Sequence, residues 1–176
     1  MRQVRYVVAM SLDGYIAGPN GQADWIIMDP DIDFRALFEQ FDTFLLGRRT
    51  FQGMGGAGGG GQPEVQTIVF SRTLRQQDYP NVTIVSEKPE LVLADLRTKP
   101  GKDIWLFGGG SLFRSLLEGS LVDAVEVAVI PVLLGEGIPL LPAKPSSERF
   151  ELELTSRRIF DSGIVSLEYA VDYAPA

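Results

Sequence analysis

Five short runs constrain this chain more than any other feature. "VRYVVAM" (4–10), "TFLLG" (43–47), "TIVFS" (67–71), "VTIVS" (82–86) and "IWLFG" (104–108) are each apolar on both faces. β-Branched and aromatic runs of this length suit strands covered on both sides, as in a parallel sheet flanked by helices. Helical patterns fall between or after them. "DIDFRALFEQF" (31–41) spaces Phe34, Leu37, Phe38 and Phe41 along one helical face. "KPELVLADLRTKPG" (88–101) starts on Pro89 and stops at Pro100-Gly101, and "GGSLFRSLLEG" (109–119) carries Leu112, Phe113, Leu116 and Leu117 before Gly119. Strand–helix alternation predicts an α/β fold with a mostly parallel central sheet.

The last third changes pattern. "LVDAVEVAVIPVLLG" (121–135) begins as an alternating strand and breaks at Pro131. Residues 149–173 hold two alternating strands around Asp161-Ser162-Gly163, which predicts a C-terminal antiparallel hairpin. The 176 residues contain no internal repeat or long linker, so one domain over 1–176 is expected.

Composition narrows the chemistry. There is no histidine and no cysteine, which removes disulfides, thiolate metal sites, cysteine nucleophiles and every His-based triad. Acid–base work falls to Asp, Glu, Tyr, Lys or water, and no metal site is expected. The net charge of −7 argues against a nucleic-acid surface. No basic leader precedes "VRYVVAM", and no apolar run approaches about 18 residues, so a cytoplasmic protein without a membrane partner is expected.

Ligands of open parallel sheets bind at the carboxyl ends of the strands. Here those ends run into Gly47-Arg48-Arg49-Thr50, Ser71-Arg72, Ser86 and Gly108-Gly109-Gly110-Ser111. Hydroxyls, guanidinium groups and helix starts on one edge of an acidic protein form an anion-binding set. A second glycine run, "GMGGAGGGGQP" (53–63), matches G-x-G-x-x-G but follows a helix and leads to proline. A dinucleotide fingerprint needs strand, turn and helix, so this run reads as a surface loop.

These positions resemble the dihydrofolate reductase-like fold family, in particular the reductase domain of the riboflavin-biosynthesis deaminase-reductase. The resemblance is carried in order by "AMSLDGYIAG" (9–18), "LLGRRTFQGM" (45–54), "IVFSRT" (68–73) and "LFGGGSLFRSLLEGSLVDAVEVAVIPVLLGEGIPLLP" (106–142). It implies an NADPH-dependent reductase with helices on both faces of the sheet. Arg48 and Thr50 would serve the 2′-phosphate side and the pyrophosphate, with Gly47 and Arg49 beside them. Ser71 and Arg72 would flank the 2′-phosphate. Gly109, Gly110, Ser111 and Leu112 would offer N–H groups to the pyrophosphate, after a cis Gly108-Gly109 bond. Ala9 and Ile16 would line the nicotinamide pocket. Asp31 or Asp33 would be the proton relay; as residues they read equally as acids favoured at a helix start.

The small-molecule substrate implied is pyrimidine-, pteridine- or ribosylamine-like. The nearest activity is 5-amino-6-(5-phosphoribosylamino)uracil reductase, with dihydrofolate reductase and a non-catalytic NADPH- or nucleotide-binding protein as alternatives. The family's Asn-Pro-x-Leu-Thr-x-Arg substrate stretch is replaced by the run at 53–63. A homodimer is implied as well.

Overall fold

The structure, a computed structural model, describes residues 1–56, 65–144 and 149–173. Residues 57–63 of the expected glycine-rich loop therefore lie outside the described residues. The first strands are β1 (Val4–Ser11), β2 (Tyr15–Ala17), β3 (Phe41–Gly47), β4 (Gln66–Phe70), β5 (Thr83–Val85) and β6 (Asp103–Gly108). Helices α1 (Phe34–Phe38), α2 (Arg48–Gly53), α3 (Pro89–Thr98) and α4 (Gly110–Glu118) alternate with them, and β7 (Ala124–Ile130), β8 (Ile138–Pro139), β9 (Glu151–Ile159) and β10 (Val165–Asp172) close the chain.

Eight strands form one sheet in the order β5-β4-β3-β6-β1-β7-β10-β9. The first six run parallel to one another, and β10 pairs antiparallel with both β7 and β9. The five apolar runs are five of the six parallel strands, and the hairpin stands where Asp161-Ser162-Gly163 predicted it, with Gly163 at φ 87°.

Alternation along each strand divides the core into two layers. Tyr6, Leu45, Ile68, Ile104 and Leu106 pack with Leu93 and Leu96 of α3 and Leu112, Phe113, Leu116 and Leu117 of α4. Their neighbours Phe44, Leu46, Val69 and Trp105 pack on the opposite face with Phe51 of α2 and, at its margin, Leu37 and Phe38 of α1. Two-sided apolar runs are what such a covered sheet requires.

The expected helix over 31–41 is the one clear correction. Only Phe34–Phe38 is helical, and Phe41 opens β3 opposite Asp103. The Phe34/Leu37/Phe38/Phe41 spacing fits a helix, but Phe41 gains a ladder position and a buried site against Trp105, at 4.9 Å between ring centroids. Tertiary pairing overrides local propensity here. The two-residue β8 pairs with β2 as a small separate sheet.

Candidate functional site

The carboxyl ends of β3, β4, β5 and β6 are brought level by register: Leu46 pairs with Gly108, Gly47 with Phe70, and Phe70 with Val85. A cleft of ≈ 1980 Å³ opens along this edge and continues across the sheet beneath α1. Each of Ala9, Ile16, Gly47, Arg48, Arg49, Thr50, Ser71, Arg72, Gly108, Gly109, Gly110, Ser111 and Leu112 lines it. Asp33 lines it too, whereas Asp31 is not among the lining residues.

Helix α4 begins at the cleft with Gly109 as its N-cap and no side chain capping it. The first-turn N–H groups of a helix have no intrahelical acceptor, so this start presents donors and the positive end of the helix dipole. The Gly108-Gly109 peptide bond is cis, as the resemblance implied. Glycine is required here by close approach. A Cβ on Gly109 would lie 3.1 Å from Thr50 Oγ1, and one on Gly110 would lie 2.8 Å from the Pro139 carbonyl oxygen and 2.9 Å from Pro142 Cδ. The turn is thus clamped between α2 and the 139–142 segment.

The "SLDGY" stretch builds the frame that holds that segment. Ser11 is buried; its Oγ accepts from the Tyr15 N–H at 2.9 Å and donates to Asp13 Oδ1 at 2.7 Å. Gly14 supplies the φ of 90° that the turn needs. Asp13 in turn accepts from the Leu134 and Gly135 N–H groups, at 3.1 and 2.7 Å. These bonds, that from Ser11 first, lower its pKa to about 2. Leu12 N–H donates to Val132 O and Leu140 N–H to Gly14 O, both at 2.9 Å. The motif therefore fastens "PVLLGEGIPLLP" against β1 and sets Ile16 and Ile138 at the cleft.

Electrostatics concentrate free cations in the cleft. Arg2, Arg5, Arg97 and Arg114 do not line it, and all are held in ion pairs. Arg48, Arg49, Arg72 and Lys88 line the cleft, and none makes an ion pair with a described acid. Ser71 has a structural role beside any binding role: its Oγ accepts from the N–H groups of Thr73 and Leu74, at 3.2 and 3.0 Å, and shapes the turn that presents Arg72. Glu87 and Glu90 also border the cleft, beyond β5.

Across the sheet, the cleft wall contains groups that the sequence reading did not single out. Glu126 of β7 is buried, 8% exposed, and grips Arg5 with two bonds of 2.5 and 3.0 Å. Burial works against the Arg5 charge, but Glu126 and Asp103 more than offset it and the guanidinium pKa is raised. Glu168 lies directly opposite Glu126, Ser166 opposite Ala128, and Ser156 and Arg158 of β9 continue these two rows. The available signal was the lone Glu126 in apolar β7 and the alternation of Ser166 and Glu168 in β10.

Asp33 is an exposed N-cap whose Oδ1 accepts from Ala36 N–H at 2.9 Å, so it borders the cleft from the start of α1. Asp31 stands before the helix and donates its N–H to Asp29 Oδ1 at 2.9 Å. Asp29, also unremarked in the sequence, is buried and ties this segment to the β9–β10 hairpin; bonding from Ser162, then from the Asp31 amide, holds its carboxyl below the usual range. Trp25 packs on the Ile130, Phe160 and Ile164 cluster instead of lining the cleft.

Comparison with known proteins places this geometry. The family model described as RibD C-terminal domain matches residues 2–166. The chain belongs to that family. Among curated relatives of this RibD C-terminal domain is the uncharacterized protein YyaP of Bacillus subtilis (strain 168), 37% identical over 180 residues, covering 96% of this chain and 94% of that protein. Among solved structures, the Thermotoga maritima diaminohydroxyphosphoribosylaminopyrimidine deaminase/5-amino-6-(5-phosphoribosylamino)uracil reductase superposes with a TM-score of 0.71 at 17% identity, covering 97% of this chain and 57% of that one. Dihydrofolate reductase from Enterococcus faecalis, complexed with NADP(H), superposes with a TM-score of 0.68 at 23% identity over 97% and 96% of the two chains. The fold of this RibD C-terminal domain is dihydrofolate reductase-like. Among the described residues no helix is long and apolar enough to cross a membrane.

Proposed function

We propose that the protein is an NADPH-dependent oxidoreductase acting on a pyrimidine-, pteridine- or ribosylamine-like small molecule, nearest in activity to 5-amino-6-(5-phosphoribosylamino)uracil reductase. The observation that carries this reading is the uncapped start of α4 at a glycine turn, with Arg48, Arg49 and Arg72 along the same cleft and ion-paired with no acid among the described residues. A dinucleotide phosphate fits that donor set: helix N–H groups for the pyrophosphate and planar guanidinium groups for a terminal phosphate. Family membership supports the reductase class, and the fold is shared with two reductases.

In this reading Gly109, Gly110, Ser111 and Leu112 hold the pyrophosphate with Thr50, and Arg48, Ser71 and Arg72 hold the 2′-phosphate. Ala9 and Ile16 bound the nicotinamide pocket. When bound, the cofactor supplies the hydride. The protein orients the acceptor against the apolar wall of Leu37, Trp105 and Phe107 and excludes water there. Glu168, Ser166 and Arg158 present acceptor and donor groups to the substrate. Of the two aspartates considered for the proton, Asp33 is the one that borders the cleft. The reading also carries the cytoplasmic location and the homodimer that the family resemblance implies.

Oxidation of NADPH, followed by loss of reduced-nicotinamide absorbance, tests this when 5-amino-6-(5-phosphoribosylamino)uracil and dihydrofolate are offered in turn. Turnover of the first supports the proposal, and turnover of dihydrofolate alone supports the dihydrofolate reductase alternative. Saturable NADPH binding with no turnover of either supports the non-catalytic alternative, which the capping role and exposure of Asp33 favour.

A further inference from the structure

Glu168 of β10 is a half-buried carboxylate that stands directly opposite Glu126. Like charges so placed destabilise a strand pair. Arg5 does nothing for Glu168, because its guanidinium bonds both oxygens of Glu126 together with Gln40 and Asp103. Among the described residues Glu168 is bonded through its main chain only, and its carboxylate takes no hydrogen bond or ion pair. Residues that work against the fold in this way concentrate at functional sites.

Register decides what surrounds this carboxylate. Ser156 pairs with Glu168 but Leu154 pairs with Tyr169, so Thr155 is an extra residue of β9. Its Oγ1 donates to Glu168 O at 3.0 Å and fills the irregularity, and Glu153, Ser156 and Arg158 come to share the cleft face. Two rows of that face then cross the strands. One runs Val7, Glu126, Glu168, Ser156; the other runs Ala9, Ala128, Ser166, Arg158. Both rows line the cleft. Neighbouring strands lie about 4.8 Å apart, so Ser166 stands about 10 Å from Ala9, with Ala128 between them. Two alanines make a shallow floor of that length, on which a flat ring system fits. One end of the ring then lies at Ala9, and the other meets a carboxylate and a hydroxyl side by side on β10. Arg158 stays apart from Glu168, since its guanidinium lies over the Phe160 ring at 4.4 Å from the centroid.

We propose that Glu168 is a specificity-determining residue that accepts an N–H of the substrate ring while Ser166 Oγ donates to the adjacent carbonyl. The cleft thereby selects flat rings with a lactam edge and rejects rings alkylated at that nitrogen. A carboxylate binds an N–H more strongly than a neutral acceptor does. A ring without the N–H would cover Glu168 and leave it unpartnered, which costs more than the bond itself returns. The bond also sets the ring's direction along the alanine floor, with its far end toward Ala9. Recognition of the lactam edge stands on the polar wall alone; its consequence, a ring aligned for hydride transfer, rests on the reductase reading.

The test is calorimetric titration of the full chain with lumazine, a flat pteridinedione whose ring N–H groups adjoin carbonyls, and with 1,3-dimethyllumazine, in which those nitrogens are methylated. Lumazine should bind saturably and at least about tenfold tighter than the methylated ring. Glu168→Leu, which removes the acceptor, should weaken lumazine by about tenfold or more and leave 1,3-dimethyllumazine unchanged, with Glu168→Gln between wild type and Glu168→Leu. Both variants should unfold at a temperature no lower than wild type, because each removes a like charge opposite Glu126. Absence of lumazine binding, equal affinity for the two rings, lumazine binding indifferent to Glu168, equal losses for both rings, or a lower Tm in both variants would each overturn the proposal. NADPH titration of the same proteins separates this outcome from the functional one. NADPH binding without discrimination between the rings removes this proposal alone, and discrimination without NADPH binding removes the reductase reading alone.

Discussion

Gly110 is the position at which the fold and the proposed cofactor site can be perturbed together. Gly110→Ala adds one Cβ that would lie 2.8 Å from Pro139 O, 2.9 Å from Pro142 Cδ and 3.0 Å from Leu140 O. Two of these atoms are backbone and the third belongs to a proline ring, so none can swing aside. Either α4 or the 139–142 segment must shift. Overpacking of this kind costs about 1–3 kcal/mol. For a chain of this length, about 2 kcal/mol lowers Tm by roughly 4–8 °C. The shift also displaces the first-turn N–H groups. Each hydrogen bond to a charged phosphate contributes about 1.5–3 kcal/mol, so disturbing one weakens NADPH binding roughly 10- to 100-fold. Thermal unfolding and a cofactor titration read the two effects separately. Gly53→Ala is the internal control, since no atom lies within 4 Å of its added Cβ, and its Tm should not fall. An unchanged Tm and an unchanged NADPH affinity in Gly110→Ala would refute the reasoning.

Three further outcomes follow from particular residues. Tyr6 is fully buried against Phe113, burial pushes its pKa up, and its hydroxyl has no hydrogen-bond partner among the described residues. Tyr6→Phe should therefore stabilise the protein by about 1 kcal/mol in denaturant unfolding; a loss of stability would mean that the hydroxyl is satisfied. Arg72→Ala should weaken NADPH binding by about tenfold or more while leaving NADH binding unchanged, and an equal loss for both cofactors would remove Arg72 from the 2′-phosphate. Asp13 has a folded pKa of about 2, below its unfolded value near about 4, so its contribution is present above the unfolded value and lost as pH falls through the folded one. The stability advantage of wild type over Asp13→Asn should hold at neutral pH and vanish toward about pH 2; a difference constant across that range would contradict it.

Much of the scaffold was legible in the sequence because a covered parallel strand writes both of its faces in apolar residues. Phe44 and Leu45, or Ile104 and Trp105, point to different cores, and neighbours of opposite direction are why the runs lack alternation. The cleft edge was legible because strand ends and helix starts are local, and "FGGGS" joins one to the other. The length of α1 was not, since Phe41 leaves a good helical spacing for a ladder position that depends on Asp103, far away in the chain. Nor was the polar wall of the cleft. Which faces Glu153, Ser156 and Arg158 occupy depends on the extra residue at Thr155, and nothing local in "ELELTSRRI" marks it. Asp29 escaped notice for a similar reason: its partner Ser162 comes from the hairpin at the other end of the domain.

The central claim is that the glycine turn and Arg48, Arg49 and Arg72 form an NADPH site. The most direct measurement is calorimetric titration of the wild-type protein with NADPH and, in parallel, NADH. The account predicts saturable binding of NADPH at least about tenfold tighter than NADH, as guanidinium contacts to the 2′-phosphate require. Equal affinity for the two cofactors, or no saturable binding of NADPH, would contradict it.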